Sequence, residues 1–323
     1  MIDVLKLGRF RFKIRALENL LLPEYKGATF RGGFGQALKN VACALKRQDC
    51  GTCLLRDRCV YIYLFETPPP RDTDMMRLYP SVPHPFVLEP PETKARYIPA
   101  GECLEFGLVL VGKALELLPY FVYAFISLGE RGLGKEHGTF ALEAVLSEDS
   151  GLPRRIYDIN TQRLQVEHLE MSVAHLKQRI EALTSASKLV LEFRTPTRIK
   201  AEGHLKEAPE FHHLARTLLR RISSLAYFHC AQRLDLNYRE LVLQAQRVQT
   251  SERDLSWYDW ERYSTRQKQR MALGGFKGHI AFEGEFKDFL PLVVLGETLH
   301  VGKGASFGLG KYRIMDVRDV MEC

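Results

Sequence analysis

The sequence predicts an α+β protein of two tandem, duplicated ferredoxin-like (RRM-like) domains, the first carrying a cysteine-rich insertion. Three observations predict it. The tetrapeptide Gly-Leu-Gly-Lys occurs at 132–135 and again at 308–311. The segments around it recur in the same order: Phe10–Leu17 answers to Lys188–Thr195, Leu104–Val111 to Gly278–Phe286, and Leu118-Pro119 to Leu290-Pro291. Strand and helix periods follow one another as βα…βαβ in each copy, with one strand less easily seen, which is the pattern of an antiparallel sheet covered on one face by two helices. The expected bounds are 1–150 for the first domain, with its insertion at about 43–100, then a helical linker at 151–187 and the second domain at 188–323.

Each element has a local reason. Leu7–Leu17 alternates, with Phe10, Phe12 and Ile14 on one face and Arg9, Arg11, Lys13 and Arg15 on the other, as a half-exposed strand does. Arg31-Gly32-Gly33-Phe34-Gly35 leads into a helix over Gln36–Lys46, where Leu38, Ala42 and Leu45 form a stripe. The run from Pro68 to Pro91 holds eight prolines and reads as irregular. Leu104–Val111 is a strand, Glu116–Leu128 a helix entered at Pro119, and Thr139–Leu146 a strand. Leu169, Val173, Leu176, Ile180 and Leu183 repeat at three and four residues, the mark of an amphipathic helix. In the second copy, Lys188–Thr195 is a strand and Glu210–Phe228 a helix.

A length of 323 residues with 46% hydrophobic content is ample for two cores. No run of eighteen apolar residues appears and the N-terminus alternates charge with hydrophobe, so the expectation is a cytoplasmic protein with no membrane partner. Lys and Arg number 46 against 39 Asp and Glu, a net charge of +7 that favours polyanionic partners. Seven cysteines, an odd number, argue against a disulfide framework.

Three constellations carry chemistry. His300-Val301-Gly302-Lys303-Gly304-Ala305-Ser306-Phe307-Gly308-Leu309-Gly310-Lys311 offers flexible backbone and two ammonium groups, a natural phosphate cradle. Arg262, Arg266, Lys268, Arg270 and Lys277 form a basic run free of acids, with Trp257, Tyr258, Trp260 and Tyr263 beside it. Arginine forks for phosphate and aromatic rings for unpaired bases suit RNA. Cys43, Cys50, Cys53 and Cys59 are spaced to complete a tetrahedral shell for a structural zinc, with an iron–sulfur cluster or free thiols as alternatives.

With RGGFGQAL (31–38), the CGTC…C element running into Tyr61–Glu66, HPFVLEPP (84–91), RYSTRQ (262–267), GGFKGHIAFEG (274–284) and HVGKGASFGLGKY (300–312), the chain resembles the CRISPR-associated endoribonucleases of the RAMP superfamily that process repeat RNA. The resemblance implies two ferredoxin-like folds, a glycine-rich loop before the last strand, and binding of single-stranded or hairpin CRISPR repeat RNA. It also implies cleavage without a metal ion: a ribose 2′-hydroxyl attacks the adjacent phosphate and leaves a 2′,3′-cyclic phosphate and a 5′-hydroxyl, the product in some cases staying bound. Other CRISPR effector-complex subunits are the further implied partners, and a non-catalytic subunit that holds the RNA within such a complex is the alternative reading.

That reaction requires a base, a proton donor and a cation. Several relatives place a histidine in or near the first helix, whereas here the first histidine is His84. His300, at the mouth of the loop beside Lys303, is the expected acid or base, His204 near Lys200 and Lys206 the second candidate, and Tyr263 a proton donor. Gln267 joins the basic run as an RNA contact, together with Gly302, Gly304, Gly308, Gly310 and Lys311 of the loop. His229 reads as a core or boundary histidine, and His84 and His279 have no evident chemical company.

Overall fold

The computed structural model describes residues 2–46, 49–148, 152–264 and 269–315, and leaves the side chains of 262–272 outside that description. The chain forms two compact units. One comprises Val4–Ser172 with Ser224–Gln232, the other Val173–Ser223 with the chain from Arg233 and the first residues.

The first unit is built on β1 (Leu7–Ala16), α1 (Gly27–Ala42), β2 (Phe86–Glu89), β3 (Cys103–Val111), α2 (Leu118–Arg131), β4 (Phe140–Ser147) and β5 (Arg154–Asp158). Its antiparallel sheet runs β2-β3-β1-β4-β5, with the two-residue strand Arg163–Leu164 beyond. Phe10, Phe12 and Ile14 of β1 are fully buried while Arg11 and Arg15 are exposed, so the alternation read in the sequence is the pleat of the central strand. Phe34 of α1 stacks on Phe121 of α2 at 4.8 Å, and Phe12 meets Phe125 at 5.3 Å, which fixes both helices over one face.

The second unit holds α3 (Val173–Leu183), β6 (Lys188–Thr197), α4 (Phe211–Cys230, up to Ser223), α5 (Tyr238–Ala245), β7 (Gln249–Tyr258), the hairpin β8 (Glu261–Ser264) and β9 (Gln269–Ala272), β10 (Gly275–Glu283), α6 (Leu290–Leu299) and β11 (Tyr312–Met315). Its four-stranded sheet runs β7-β10-β6-β11. In both units the first and third strands of the βαββαβ unit are central, the second and fourth flank them, and a proline stands in the first turn of the second helix. The architecture is therefore the expected tandem of ferredoxin-like folds.

Three local expectations are corrected. The Arg31–Gly35 run lies inside α1 and does not precede it. A Cβ on Gly35 would come within 2.2 Å of the Phe65 ring and one on Gly33 within 3.0 Å of Leu128, so these glycines buy close approach of the helix. The insertion at 43–100 is interrupted by β2, which pairs Phe86 with Leu110 through Glu89 with Gly107 and is part of the sheet itself. The 151–187 linker is not wholly helical, because Arg154–Asp158 extends the first sheet through pairing with β4. Among the described residues no helix is long and apolar enough to cross a membrane.

Candidate nucleic-acid interface

The glycine-rich loop joins α6 to β11. Gly302, Gly304, Gly308 and Gly310 all have φ between 75° and 87°, the left-handed region that glycine adopts freely. Two of them allow backbone to touch backbone: a Cβ on Gly310 would sit 1.8 Å from the Val301 carbonyl, and one on Gly302 2.5 Å from the Arg198 carbonyl. The loop then pairs with itself and with β6. Val301 N–H donates to Gly310 O at 2.9 Å, Lys303 N–H to Arg198 O at 2.9 Å, Gly308 N–H to Ala305 O at 2.8 Å and Gly310 N–H to Pro196 O at 3.1 Å. Thr195 completes the lock: its hydroxyl donates to Gly308 O at 2.8 Å and accepts from Lys311 N–H at 2.9 Å.

This corrects the reading of the loop as a bare cradle of N–H groups. The amides of Lys303, Gly308, Gly310 and Lys311 are committed within the fold, so these four do not serve an anion. Lys303 is exposed, and its ammonium is pushed below the ordinary lysine value by partial burial and by the neighbouring charges of Lys200, Arg198 and Arg220. Partial burial also lowers Arg198. Lys303 thus lies within electrostatic reach of three further cations.

His300 is corrected as well. It is the C-cap residue of α6, with φ 59°, and its ring is fully buried with Nδ1 3.1 Å from Leu309 O. An imidazole without exposed surface does not reach a phosphate on the outside of the loop, and its role is to hold the turn. His204, by contrast, is exposed, in a two-residue strand whose partner begins with Lys200. Nearby, Glu202 pairs with Lys206 at 2.6 Å, and burial together with His212 and Lys206 lowers His213.

The basic aromatic run maps to the exposed edge of the second sheet and the hairpin beside it. β7 is an edge strand with most residues exposed, Trp257 included. Lys277, on β10, places its ammonium 5.5 Å from the centre of the Tyr258 ring. Arg262 pairs in register with Met271, and Tyr263 with Arg270, across the hairpin. Arg266, Gln267 and Lys268 lie outside the described residues.

The zinc expectation is not supported. Among the described residues no group of three or more histidine, cysteine or acidic side chains gathers for a metal. Cys43 closes α1 in an extended conformation, and Cys50, Cys53 and Cys59 are half-buried free thiols. Burial, reinforced by Glu66, Cys43 and Cys59 against the pull of Lys39, pushes the Cys50 thiol up.

Two residues of the cation group, Arg198 and Arg220, were not among the sequence candidates. No local motif marks them: one follows β6, the other sits in α4, and only the folded sheet brings both to Lys303.

Comparison with known proteins gives the frame. Residues 5–169, just over half of the chain, match a family described as an N-terminal domain (AF_1859_N), and residues 191–312 match the CRISPR-associated endoribonuclease Cas6. A protein of Archaeoglobus fulgidus described as uncharacterized is 27% identical over 297 residues, which cover 91% of this chain and 92% of its own. Among solved structures, a Cas6 (TTHB231) product complex aligns over 96% of this chain and 99% of its own with a TM-score of 0.57 and 17% identity. The Thermus thermophilus Cas6 (TTHB231) aligns over the same shares with a TM-score of 0.55 and 14% identity. The Cas6 part of a partial Cas6-RT-Cas1–Cas2 complex, 46% of that chain, covers 96% of this one with a TM-score of 0.58 and 14% identity. At such identities the structural likeness concerns the fold alone. The chain therefore carries an AF_1859-type N-terminal domain over residues 5–169, followed by a region, residues 191–312, that matches the CRISPR-associated endoribonuclease Cas6.

Proposed function

We propose that the protein cuts CRISPR repeat RNA without a metal ion, by attack of a ribose 2′-hydroxyl on the adjacent phosphate, and keeps the product bound. The products are a 2′,3′-cyclic phosphate and a 5′-hydroxyl. The observation that carries this reading is the convergence of Lys303, Lys200, Arg198 and Arg220 at the glycine-rich loop. In-line displacement at phosphorus gathers negative charge on the phosphoryl oxygens, and preorganised cations at a partly desolvated position stabilise it. Lys303 is the residue assigned to that charge.

The exposed edge of β7, with Trp257, Tyr258 and Lys277, supports contact with an unpaired strand, in which rings stack on bases while ammonium groups follow the backbone. Arg262, Tyr263 and Arg270, on the strands of the hairpin, and Lys311 of the loop are assigned to the same RNA. His204, exposed beside Lys200, and Tyr263 are the second unit's candidates for moving protons. The substrate is a single-stranded or hairpin repeat RNA.

The test is single-turnover cleavage of end-labelled repeat RNA in EDTA, with a second RNA carrying one 2′-deoxy nucleotide at the cut site. The expected result is cleavage of the first and none of the second. An RNA that is bound in EDTA but left whole overturns the reading in favour of an RNA-holding subunit of a larger complex.

A further inference from the structure

A cavity of about 570 Å³ opens in the first unit, lined by the insertion and by the last turn of α4, all of it within that unit. The volume lies within the roughly 300–1,000 Å³ typical of small-molecule sites. Ile62, Val82 and Phe228 give the lining its apolar surface. Pro68, Pro69 and Pro70 add a stretch of backbone that has carbonyls and no N–H donor. Arg56, Asp57, Arg71 and Asp72 bring two charges of each sign.

The backbone of this lining is kept in an unfavourable form. Ile62–Glu66 is a single π-helical turn, a form that occurs often at functional sites, and its Ile62 and Tyr63 line the cavity. Thr67, which ends the turn and also lines the cavity, has φ 45° and ψ 53°, a left-handed conformation that is costly for a β-branched residue. Its N–H donates to Ile62 O at 2.7 Å, and its carbonyl accepts from Val82 N–H at 2.9 Å, so separate parts of the lining are tied together at the strained residue.

The polar groups divide sharply into acceptors and donors. His229 Nε2 lies 2.8 Å from Pro83 O, and a carbonyl only accepts, so Nε2 carries the ring proton. Nδ1 therefore accepts from the Tyr63 hydroxyl at 3.1 Å. Burial pushes the Tyr63 phenol well above its usual value, so it keeps its proton and gives it to His229. Toward a ligand the Tyr63 oxygen is then an acceptor, as are the proline carbonyls and the carboxylates of Asp57 and Asp72. The strong donors are Arg56, which gives one hydrogen to Gly51 O at 3.2 Å, and Arg71. Among the described residues no carboxylate pairs with either arginine, although two line the same cavity. Opposite charges that share a lining without meeting suit a ligand that carries both an anion and N–H donors.

We propose that this cavity binds a guanine nucleotide, either free or as one unpaired nucleotide of an RNA strand. The phosphate takes the guanidinium forks of Arg56 and Arg71. Guanine N1–H and its 2-amino group lie side by side, which matches a carboxylate and the other acceptors, while Phe228 and the prolines cover the ring. Uracil offers one N–H between two carbonyls, and those carbonyls find no donors in an acceptor-lined space. The inference goes beyond the cleavage reaction and does not depend on it.

The experiment titrates the full chain, free of RNA, with GMP, AMP, CMP and UMP by calorimetry, and repeats the GMP titration with saturating repeat RNA. The variants are Arg56→Ala with Arg71→Ala, Asp57→Asn with Asp72→Asn, Arg71→Ala alone, and Lys303→Ala, each checked by thermal unfolding. GMP is expected to bind at a single site about tenfold or more tighter than UMP. The double-arginine variant should lose about tenfold or more in GMP affinity, and the double-aspartate variant should lose the preference for GMP over UMP. Lys303→Ala should bind GMP as wild type does. Arg71 is exposed, so Arg71→Ala alone decides if the double-arginine variant unfolds. Repeat RNA that displaces GMP identifies the ligand as a nucleotide of the strand, whereas GMP that binds the RNA complex unchanged identifies it as a free nucleotide; both uphold the site. No saturable GMP binding, equal affinity for GMP and UMP, arginine variants that bind GMP as wild type does, or a loss confined to Lys303→Ala overturns the proposal.

Discussion

The two Gly-Leu-Gly-Lys turns are the same object put to different uses. In each, two left-handed glycines flank a buried leucine, Leu133 in the first unit and Leu309 in the second. The corresponding second glycines, Gly134 and Gly310, each bring a backbone carbonyl against where a Cβ would stand, Leu21 O at 2.4 Å and Val301 O at 1.8 Å. The first turn is a short link from α2 to β4, tied by Leu133 N–H to Gly138 O and by Lys135 N–H to Leu21 O. The second is preceded by Gly302-Lys303-Gly304, and that addition carries an ammonium out to Arg198, Lys200 and Arg220. The glycines are a requirement of the fold, and the lysine they are made to display is where the copies part.

If the turns are equivalent in the fold, Gly134→Ala and Gly310→Ala, at corresponding positions, should be about equally damaging. Each forces an L-residue into φ above 70° and a Cβ into a carbonyl, so a loss of about 3 kcal/mol or more is expected in denaturant unfolding. Gly32→Ala is the control: exposed inside α1, with open space where the Cβ would go, it should gain about 0.5–1 kcal/mol. A Gly310 variant that unfolds like wild type would break the equivalence.

The lysines should behave oppositely. Lys303→Ala is expected to weaken repeat-RNA binding about tenfold and to lower the slope of log affinity on log salt by about 0.7, the loss of one phosphate contact on a single strand. Lys135→Ala should leave both unchanged. Equal losses at the two positions would mean that the duplication extends to function.

How much of this was legible follows the range of each signal. Alternation in β1, the Leu-Pro helix starts and the repeated tetrapeptide are local, and they located both units. β2 was missed because Phe86–Glu89 is buried on both faces, so it shows no alternation, and the prolines around it read as loop. β7 was missed for the opposite reason: an exposed edge strand of charged and polar residues has no apolar face to betray it. The candidate site was less legible still. Nearness in sequence to a glycine loop says nothing of where a side chain points, and His300 turned inward. The partners of Lys303 come from other elements, Arg198 and Lys200 after β6 and Arg220 in α4.

The comparison has a consequence for pH at the second turn. The pKa of Lys303 is lower in the folded chain than its ordinary 10.5, so folding disfavours its charged form. The penalty is complete below the folded value and fades as pH rises toward the unfolded one. Lys303→Met should therefore raise the melting temperature of the RNA-free protein slightly at pH 7, with the gain vanishing near pH 10.5. If Lys303 holds RNA as proposed, the same variant is expected to bind it less well, which would set stability against function at this residue.

The smallest expected effect lies behind the first turn, where no such conflict exists. Glu18 accepts from the backbone N–H of Thr139 at 3.0 Å and from its hydroxyl at 2.9 Å, and these bonds, the backbone one foremost, hold its carboxyl below the ordinary carboxylate value. For an acid the sign reverses: the contribution is present above the unfolded pKa and is lost as pH falls through the folded one. Glu18→Gln should melt slightly below wild type at pH 7, and the two curves should meet below about pH 4. A difference that persists at low pH would mean that Glu18 supports the turn by packing alone. A difference at pH 7 that closes in acid would make the first turn one held by its own local charge, whereas the second carries a charge that weakens it.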